Sequence, residues 1–395
     1  MWAQLASRAS CPPPGRRPRP RRAASLRPLR VGLDARLWHH TGIGRYLGNL
    51  APRLPAHVAL TAWVAPADVV AAQEAWPGVG VLACPAPLFS LAEQAFWATT
   101  LPGLALDVFH APHLNAPLRP GLPMVVTLHD LIPLQFPGTT RSRLGTAYVR
   151  LMTRLTPRVA RRIITHATPT RDALVARCGV PPARLDVVPL AADPRFALPA
   201  SAAARQALRT RLGLPGPYVL YAGQWKRYKN LETLLAAFAQ VAARHPEARL
   251  VLAGREDPHA RHVPAAIAAH GLADMVISTG WLAEADLVAL FQEATVFAFP
   301  SRAEGFGLPP LEAMAAGTAV VASDAGPLPE VLGDAAWRVG PDDVPGWAAA
   351  LDALLAAPDR RAELVARGRA QAAARTWEAV AAETAGAYRA ALAGG

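Results

Sequence analysis

Residues 295–326 read TVFAFPSRAEGFGLPPLEAMAAGTAVVASDAG, and this stretch decides the fold. It opens with an apolar run of strand length, TVFAF, passes through a glycine-bearing loop into a short helical segment, and ends in a second apolar run, TAVVA. Short runs without polar alternation suit strands buried on both faces, as in a parallel sheet sandwiched between helices. The stretch therefore predicts a βα unit of an α/β domain.

The same alternation extends outward and occurs twice. Strands are expected at 30–34, 58–64, 107–110, 124–128, 162–166 and 185–189, then at 218–222, 249–253, 275–278, 295–299, 318–322 and 336–339, with a helical tail after about 344. The helix over 230–243 shows the period well: Leu231, Leu234, Leu235, Phe238 and Val241 share one face, and Asn230 is placed to cap it. The segment 189–205 holds three prolines and no strand pattern, so the boundary between two separately folding halves falls there. Two doubly wound domains in tandem leave a cleft at the carboxyl ends of their strands, where such folds bind ligands.

Composition agrees. The chain has 395 residues, 52% apolar and 18% charged, sufficient for two cores at roughly 100–200 residues per domain and inconsistent with disorder as the main state. The formal charge is +12, but residues 1–30 hold eight arginines and no acid, leaving 33 basic against 29 acidic side chains elsewhere. The excess belongs to a Pro/Arg leader, and no nucleic-acid partner is expected. Three cysteines, Cys11, Cys84 and Cys178, form no C-x-x-C pair, which predicts neither a disulfide framework nor a structural zinc. With no apolar stretch of signal-peptide or membrane-spanning length, a cytoplasmic chain is expected.

The loop of the deciding stretch carries two acids, Glu304 and Glu312, eight residues apart, with Glu312 about one turn into the helix. Gly305 and Gly307 allow close backbone approach. The amides of Phe306, Gly307 and Leu308 can face an anion at the positive end of the helix, where Pro309 and Pro310 cost few donors. The pattern suits a diphosphate beside a sugar, with the carboxylates accepting hydrogen bonds from vicinal hydroxyls. This segment resembles the Glu-x7-Glu signature of the retaining glycosyltransferases of family 4, which have the GT-B fold. The resemblance implies two Rossmann-like doubly wound parallel-sheet domains facing a central cleft, with Glu304 meeting the donor hexose and Glu312 the ribose. On this reading 1–29 is a disordered leader, 30–190 the acceptor-side domain, 191–205 the linker, 206–375 the nucleotide-sugar domain, and 376–395 a helix returning to the first domain.

The segment 221–238, YAGQWKRYKNLETLLAAF, sets Gly223 at a strand end and a basic cluster before a helix. The family carries an arginine just after this glycine and a lysine before Asn-Leu. Lys229 matches the lysine and is expected to meet diphosphate charge, whereas Gln224 replaces the arginine, leaving Arg227 or Lys226 to compensate. No Asp-x-Asp motif is present and no magnesium site is expected. Lysine and the helix dipole would then carry the leaving-group charge.

In the first half, His110, His113, His129 and Asp130 fall at or just beyond strand ends. His129 admits three readings: a metal ligand with Asp130, a satisfied structural histidine, or a cleft residue near the transferred sugar, the last being what the family implies. His110 and His113 suit loop packing. The loop with Gly42 and Gly44 before a helix opening near Arg45 loosely resembles a dinucleotide fingerprint, but no acid ends a following strand; the family places this loop at the donor phosphates or the acceptor. Residues 141–162 carry seven arginines among apolar residues, fit either for a solvated face or for peripheral contact with an anionic membrane.

The expected activity is transfer of a hexose, with mannose from GDP-mannose ahead of UDP-glucose and UDP-N-acetylglucosamine, to a hydroxyl of a saccharide or lipid-linked acceptor in cell-envelope polysaccharide or glycolipid synthesis. Glu304, His129 and Lys229 would serve catalysis, and Glu312, Gly305, Phe306, Gly307, Leu308, Gly223, Arg227, Gly42 and Gly44 donor binding. Two rivals share the fold: a nucleotide-sugar epimerase and a non-catalytic nucleotide-sugar-binding scaffold.

Overall fold

The computed structural model describes residues 27–136, 142–254 and 260–393. Most of the expected leader, residues 1–26, and Arg141 of the basic stretch lie outside them.

The first sheet contains β1 (Leu29–Asp34), β2 (Val58–Val64), β3 (Gly80–Ala83), β4 (Val108–Ala111), β5 (Met124–Thr127), β6 (Arg162–Thr165) and β7 (Leu185–Val187), in the order 3-2-1-4-5-6-7. The second contains β8 (Tyr218–Ala222), β9 (Arg249–Ala253), β10 (Val276–Gly280), β11 (Val296–Phe299), β12 (Ala319–Ser323) and β13 (Trp337–Val339), in the order 10-9-8-11-12-13. Every pairing between these strands is parallel. The central strands β4, β5, β8, β11 and β12 are buried along their whole length, which explains their largely apolar runs.

The strand order reverses between β1 and β4 in one sheet and between β8 and β11 in the other. Helices leave opposite faces at such a switch point and open a crevice at the strands' carboxyl ends. The loops following these four strands therefore face the cleft.

Three local readings need correction. No strand is expected between 65 and 105, yet Gly80–Ala83 pairs with β2 at the sheet edge; its four residues are largely exposed, so it lacks the apolar run that marks its neighbours. The first helix opens at Thr41 rather than near Arg45, so Gly42 and Gly44 lie in its first turn and not in a loop. Asn230 stands at the start of the Leu231–Ala242 helix with φ 60°, but its side chain caps no backbone amide: it donates to the Pro341 carbonyl and accepts from Thr233. Leu231, Leu234, Leu235, Phe238 and Val241 are all buried as the period predicts, each contributing roughly 1.5–3 kcal/mol.

The Trp377–Ala393 helix crosses back onto β4, β5, β6 and the Thr41–Leu50 helix. Its Tyr388 hydroxyl stands 2.8 Å from His110 Nδ1, Trp377 Nε1 donates to the Ala192 carbonyl at 3.1 Å, and Glu378 pairs with Arg53. The interdomain segment is also well packed: Phe196 and Asp193 are fully buried.

Candidate active site

The loop after β11 reaches the first domain. A Cβ built at Gly305 would stand 2.3 Å from the His129 carbonyl oxygen, so only glycine permits this approach. Gly307 has φ +104°, and a Cβ there would meet Leu328 at 2.5 Å. The Leu308–Ala316 helix begins at Gly307 with no side-chain cap and with prolines in its first turn. Phe306 is buried, its ring 6.4 Å from that of His166.

Glu304 accepts a hydrogen bond from Lys229 Nζ at 2.6 Å. Lys229 ends the short turn Arg227–Lys229 after β8, and its ammonium lies about 5 Å above the rings of Phe299 and Tyr228. Asp130 joins this pair from the first domain: burial raises its carboxyl, Glu304 adds to the rise, and Lys229 opposes it. Arg227 is not brought in. Its side chain is 80% exposed and meets Glu232 only at 3.8 Å. Gly223 closes β8 by donating to the Ala253 carbonyl, and the Gln224 carbonyl accepts from the Tyr221 hydroxyl.

Glu312, the second acid of the motif, is 4% exposed. Arg45 Nε of the first domain stands 3.1 Å from its Oε1 without hydrogen-bond geometry, leaving that buried oxygen with no hydrogen bond. Burial pushes the Glu312 carboxyl up to about 7; Arg45 pulls it down, and Asp193 and Glu284 push it further up. Arg45 also pairs with Asp193 and Glu284 at 3.3 Å and lies over the Phe196 ring. Asp193 in turn is held well below the usual carboxylate range against its own burial by Arg195 and Asn49. First domain, linker and second domain thus converge on the Glu312 carboxylate.

His129 Nε2 donates to the Pro112 carbonyl at 2.9 Å, and Nδ1, which then carries no hydrogen in the neutral ring, stands 2.9 Å from His166 Nε2. His166 Nδ1 donates to the Val188 carbonyl. Burial pushes His129 down to about 4 and His166 lower still. His110 bridges Tyr388 and Thr127, as a packed structural histidine does, and burial pushes it down to about 3. Gly44 serves packing, since a Cβ there would strike the Trp38 carbonyl, while Gly42 faces open space.

Sequence reasoning left Arg45, Asp193 and His166 without a role. The first two are ordinary surface residue types in a linear reading, and only the domain arrangement buries them together.

Between the domains lies a cavity of about 150 Å³ bordered by Ile132, Gln135, Thr170, Arg302 and Glu304. Among the described residues no three His, Cys, Asp or Glu side chains are grouped to hold a metal ion, and no helix is long and apolar enough to cross a membrane.

Glycosyltransferase Family 4 matches residues 40–196, and Glycosyl transferases group 1 matches residues 205–371. Together the matches take in every strand of the two sheets except β1. The chain is a family 4 glycosyltransferase. Among its relatives are an MMP α-(1→4)-mannosyltransferase of Mycolicibacterium hassiacum, 33% identical over 60% of this chain, and a D-inositol 3-phosphate glycosyltransferase of Acidothermus cellulolyticus, 32% identical over 70%. The chain covers 56% and 63% of these relatives' lengths. The fold of this glycosyltransferase is GT-B: it superposes with a TM-score of 0.75 on Anabaena Alr3699/HepE in complex with UDP-glucose, at 21% identity, covering 91% of this chain and 99% of that one.

Proposed function

We propose that this glycosyltransferase moves a hexose, with retention of anomeric configuration, from a nucleoside diphosphate sugar to a hydroxyl of a saccharide or lipid-linked acceptor. The observation that carries this reading is the buried Glu312 Oε1, desolvated yet without a hydrogen bond, one helical turn beyond an uncapped helix start. Such an oxygen is costly unless a donor arrives, and a ribose hydroxyl supplies one. Glu304 takes a hexose hydroxyl after releasing Lys229, whose ammonium turns to the diphosphate. His129, its Nε2–H committed to the Pro112 carbonyl, offers the sugar its ring edge and a fixed wall.

The anomeric carbon–oxygen bond to the diphosphate breaks as the acceptor oxygen bonds that carbon on the same face, and the acceptor proton passes to the departing diphosphate oxygen. The protein positions the partners and stabilises charge, with no metal ion required. Mannose is the preferred sugar because several relatives carry mannosyltransferase names, and UDP-glucose is the alternative donor because a solved neighbour holds it. A role in cell-envelope polysaccharide or glycolipid synthesis, and peripheral contact of the Arg143–Val159 helix with an anionic membrane, belong to the same proposal.

The test is incubation with GDP-mannose, UDP-glucose and UDP-N-acetylglucosamine, following free nucleoside diphosphate and the first-formed anomer of the released hexose by proton NMR. One donor is expected to yield the α-anomer first. Release of the β-anomer contradicts retention, conversion to an epimeric sugar favours the epimerase, and no turnover favours the binding scaffold.

A further inference from the structure

Phe89 has φ +61°, a left-handed conformation that bulky side chains rarely adopt, and it is 48% exposed. The strain is held from below. The Phe89 amide donates to Glu93 Oε2 at 2.8 Å, and Glu93 is fully buried. Asn115 donates to the same oxygen at 2.6 Å, and Arg36 donates to Oε1 while also gripping Asp34 at the end of β1. Two further bonds pin the loop, from Arg36 to the Ala86 carbonyl and from the Ser90 hydroxyl to the Pro87 carbonyl. A buried ion network is thus committed to presenting one aromatic side chain to solvent.

The rings of His113 and Tyr148 stand edge-on to Phe89 at 5.7 and 6.1 Å. His113 Nδ1 accepts the Asn115 amide at 3.2 Å, so in the neutral ring Nε2 carries the hydrogen. Burial keeps that ring neutral, pushing it down to about 3. Pro112, next in the chain, accepts the His129 hydrogen bond. The aromatic group therefore stands at the carboxyl end of the first sheet, beside the residue that fronts the cleft.

We propose that Phe89, with His113 Nε2–H, forms an acceptor subsite that takes a pyranose ring, the sugar's C–H face on the aromatic ring and a hydroxyl on the imidazole hydrogen. This rests on the glycosyl-transfer reading, and it deepens it by naming the residues that hold a saccharide acceptor. A ring-shaped ligand suits a rigid, half-exposed aromatic face with a directed donor at its edge. Leu91 and Leu144 are also exposed, so the test separates a pyranose platform from a membrane contact.

The test uses the full chain and needs no knowledge of the natural acceptor. Saturation-transfer NMR with methyl α-D-mannopyranoside and methyl α-D-glucopyranoside is expected to show transfer to the ring C–H protons of at least one of them. Phe89→Gly, which relieves the strained backbone and so keeps the fold, should abolish it. Phe89→Trp should retain it. With the binding pyranoside as acceptor, its KM should rise at least tenfold in Phe89→Gly, with donor KM and donor hydrolysis within twofold of wild type. Absence of pyranoside transfer in the wild type, or an unchanged signal in Phe89→Gly, overturns the subsite. Loss in Phe89→Gly of sedimentation with phosphatidylglycerol vesicles, with pyranoside binding intact, assigns the loop to a membrane. Donor hydrolysis by the wild type is read separately: its failure strikes the transfer reading, while the NMR arm still judges the platform.

Discussion

Arg45 of the first domain, its side chain 14% exposed, stands 3.1 Å from the buried Glu312 of the second. The pair crosses the cleft and carries more negative than positive neighbours, since Asp193, Glu284 and Glu312 face Arg45 and Arg195. Burial above all, with Asp193 and Glu284 adding to it against Arg45, holds the proton on Glu312 up to about 7. Donor binding has to work within this charge balance.

Stability is expected to follow. The folded chain retains a proton on Glu312 that the unfolded chain releases above its ordinary value of 4.5, so stability falls as pH rises from about 4.5 to 7. Glu312→Gln removes that dependence. In thermal melts without donor it should match wild type at pH 5 and exceed it at pH 8, the scale being about 1.4 kcal/mol for each unit of displacement. A variant less stable at pH 8 contradicts the buried, proton-holding carboxyl.

Lys229 and Glu304 satisfy one another before donor arrives. Replacing Lys229 with Met keeps the apolar stem between Tyr228 and Phe299 but removes the charge that meets the departing diphosphate. The expected loss is about a hundredfold in kcat/KM, or roughly 2.7 kcal/mol, most of it in kcat. Because Arg227 points to solvent, it offers no substitute, and Arg227→Met should stay within threefold of wild type. The reverse pattern of losses in steady-state assays would move the phosphate cation by two residues.

Buried neutral histidines predict acid lability. His110 and His113 are pushed down to about 3 and His129 to about 4, so below about 6.5 the unfolded chain binds protons that the folded chain refuses. Stability is present in full above that value and is lost progressively as pH falls toward 3. Melting temperatures between pH 7 and 4.5 should drop steeply, and His110→Asn should lower the plateau yet flatten the slope. An unchanged slope would mean that His110 takes up its proton in the fold.

Transfer is expected to persist in EDTA, because Lys229 and the open helix start meet the diphosphate charge. The check is nucleoside diphosphate release with and without chelator. Complete loss, restored by Mg²⁺ or Mn²⁺, would show that an ion carries this charge.

Much of the architecture was legible because buried parallel strands write themselves as unbroken apolar runs: VFAF, YVLYA and RLVLA need no partner to be recognised. Gly80–Ala83 escaped because an edge strand is exposed and short. The resemblance of the deciding motif to the Glu-x7-Glu signature pointed to Glu304 and Glu312, and that of the separate segment 221–238 pointed to Lys229. Arg45, Asp193 and His166 could not be read, since their importance arises from burial at a junction of segments more than a hundred residues apart. Arg227 misled because a basic residue beside Lys229 looks equivalent in sequence, while the 227–229 turn sends one side chain to the cleft and the other to water.

The central claim is that the cleft binds a nucleoside diphosphate sugar through Glu312 and Lys229. Calorimetric titration of GDP-mannose, UDP-glucose and UDP-N-acetylglucosamine into wild type, Glu312→Gln and Lys229→Met measures this directly. One donor should bind wild type and lose at least tenfold in affinity in Glu312→Gln, consistent with a lost hydrogen bond of roughly 1.5–3 kcal/mol to a charged acceptor. Equal affinity in wild type and both variants, or no binding of any of the three, would contradict it.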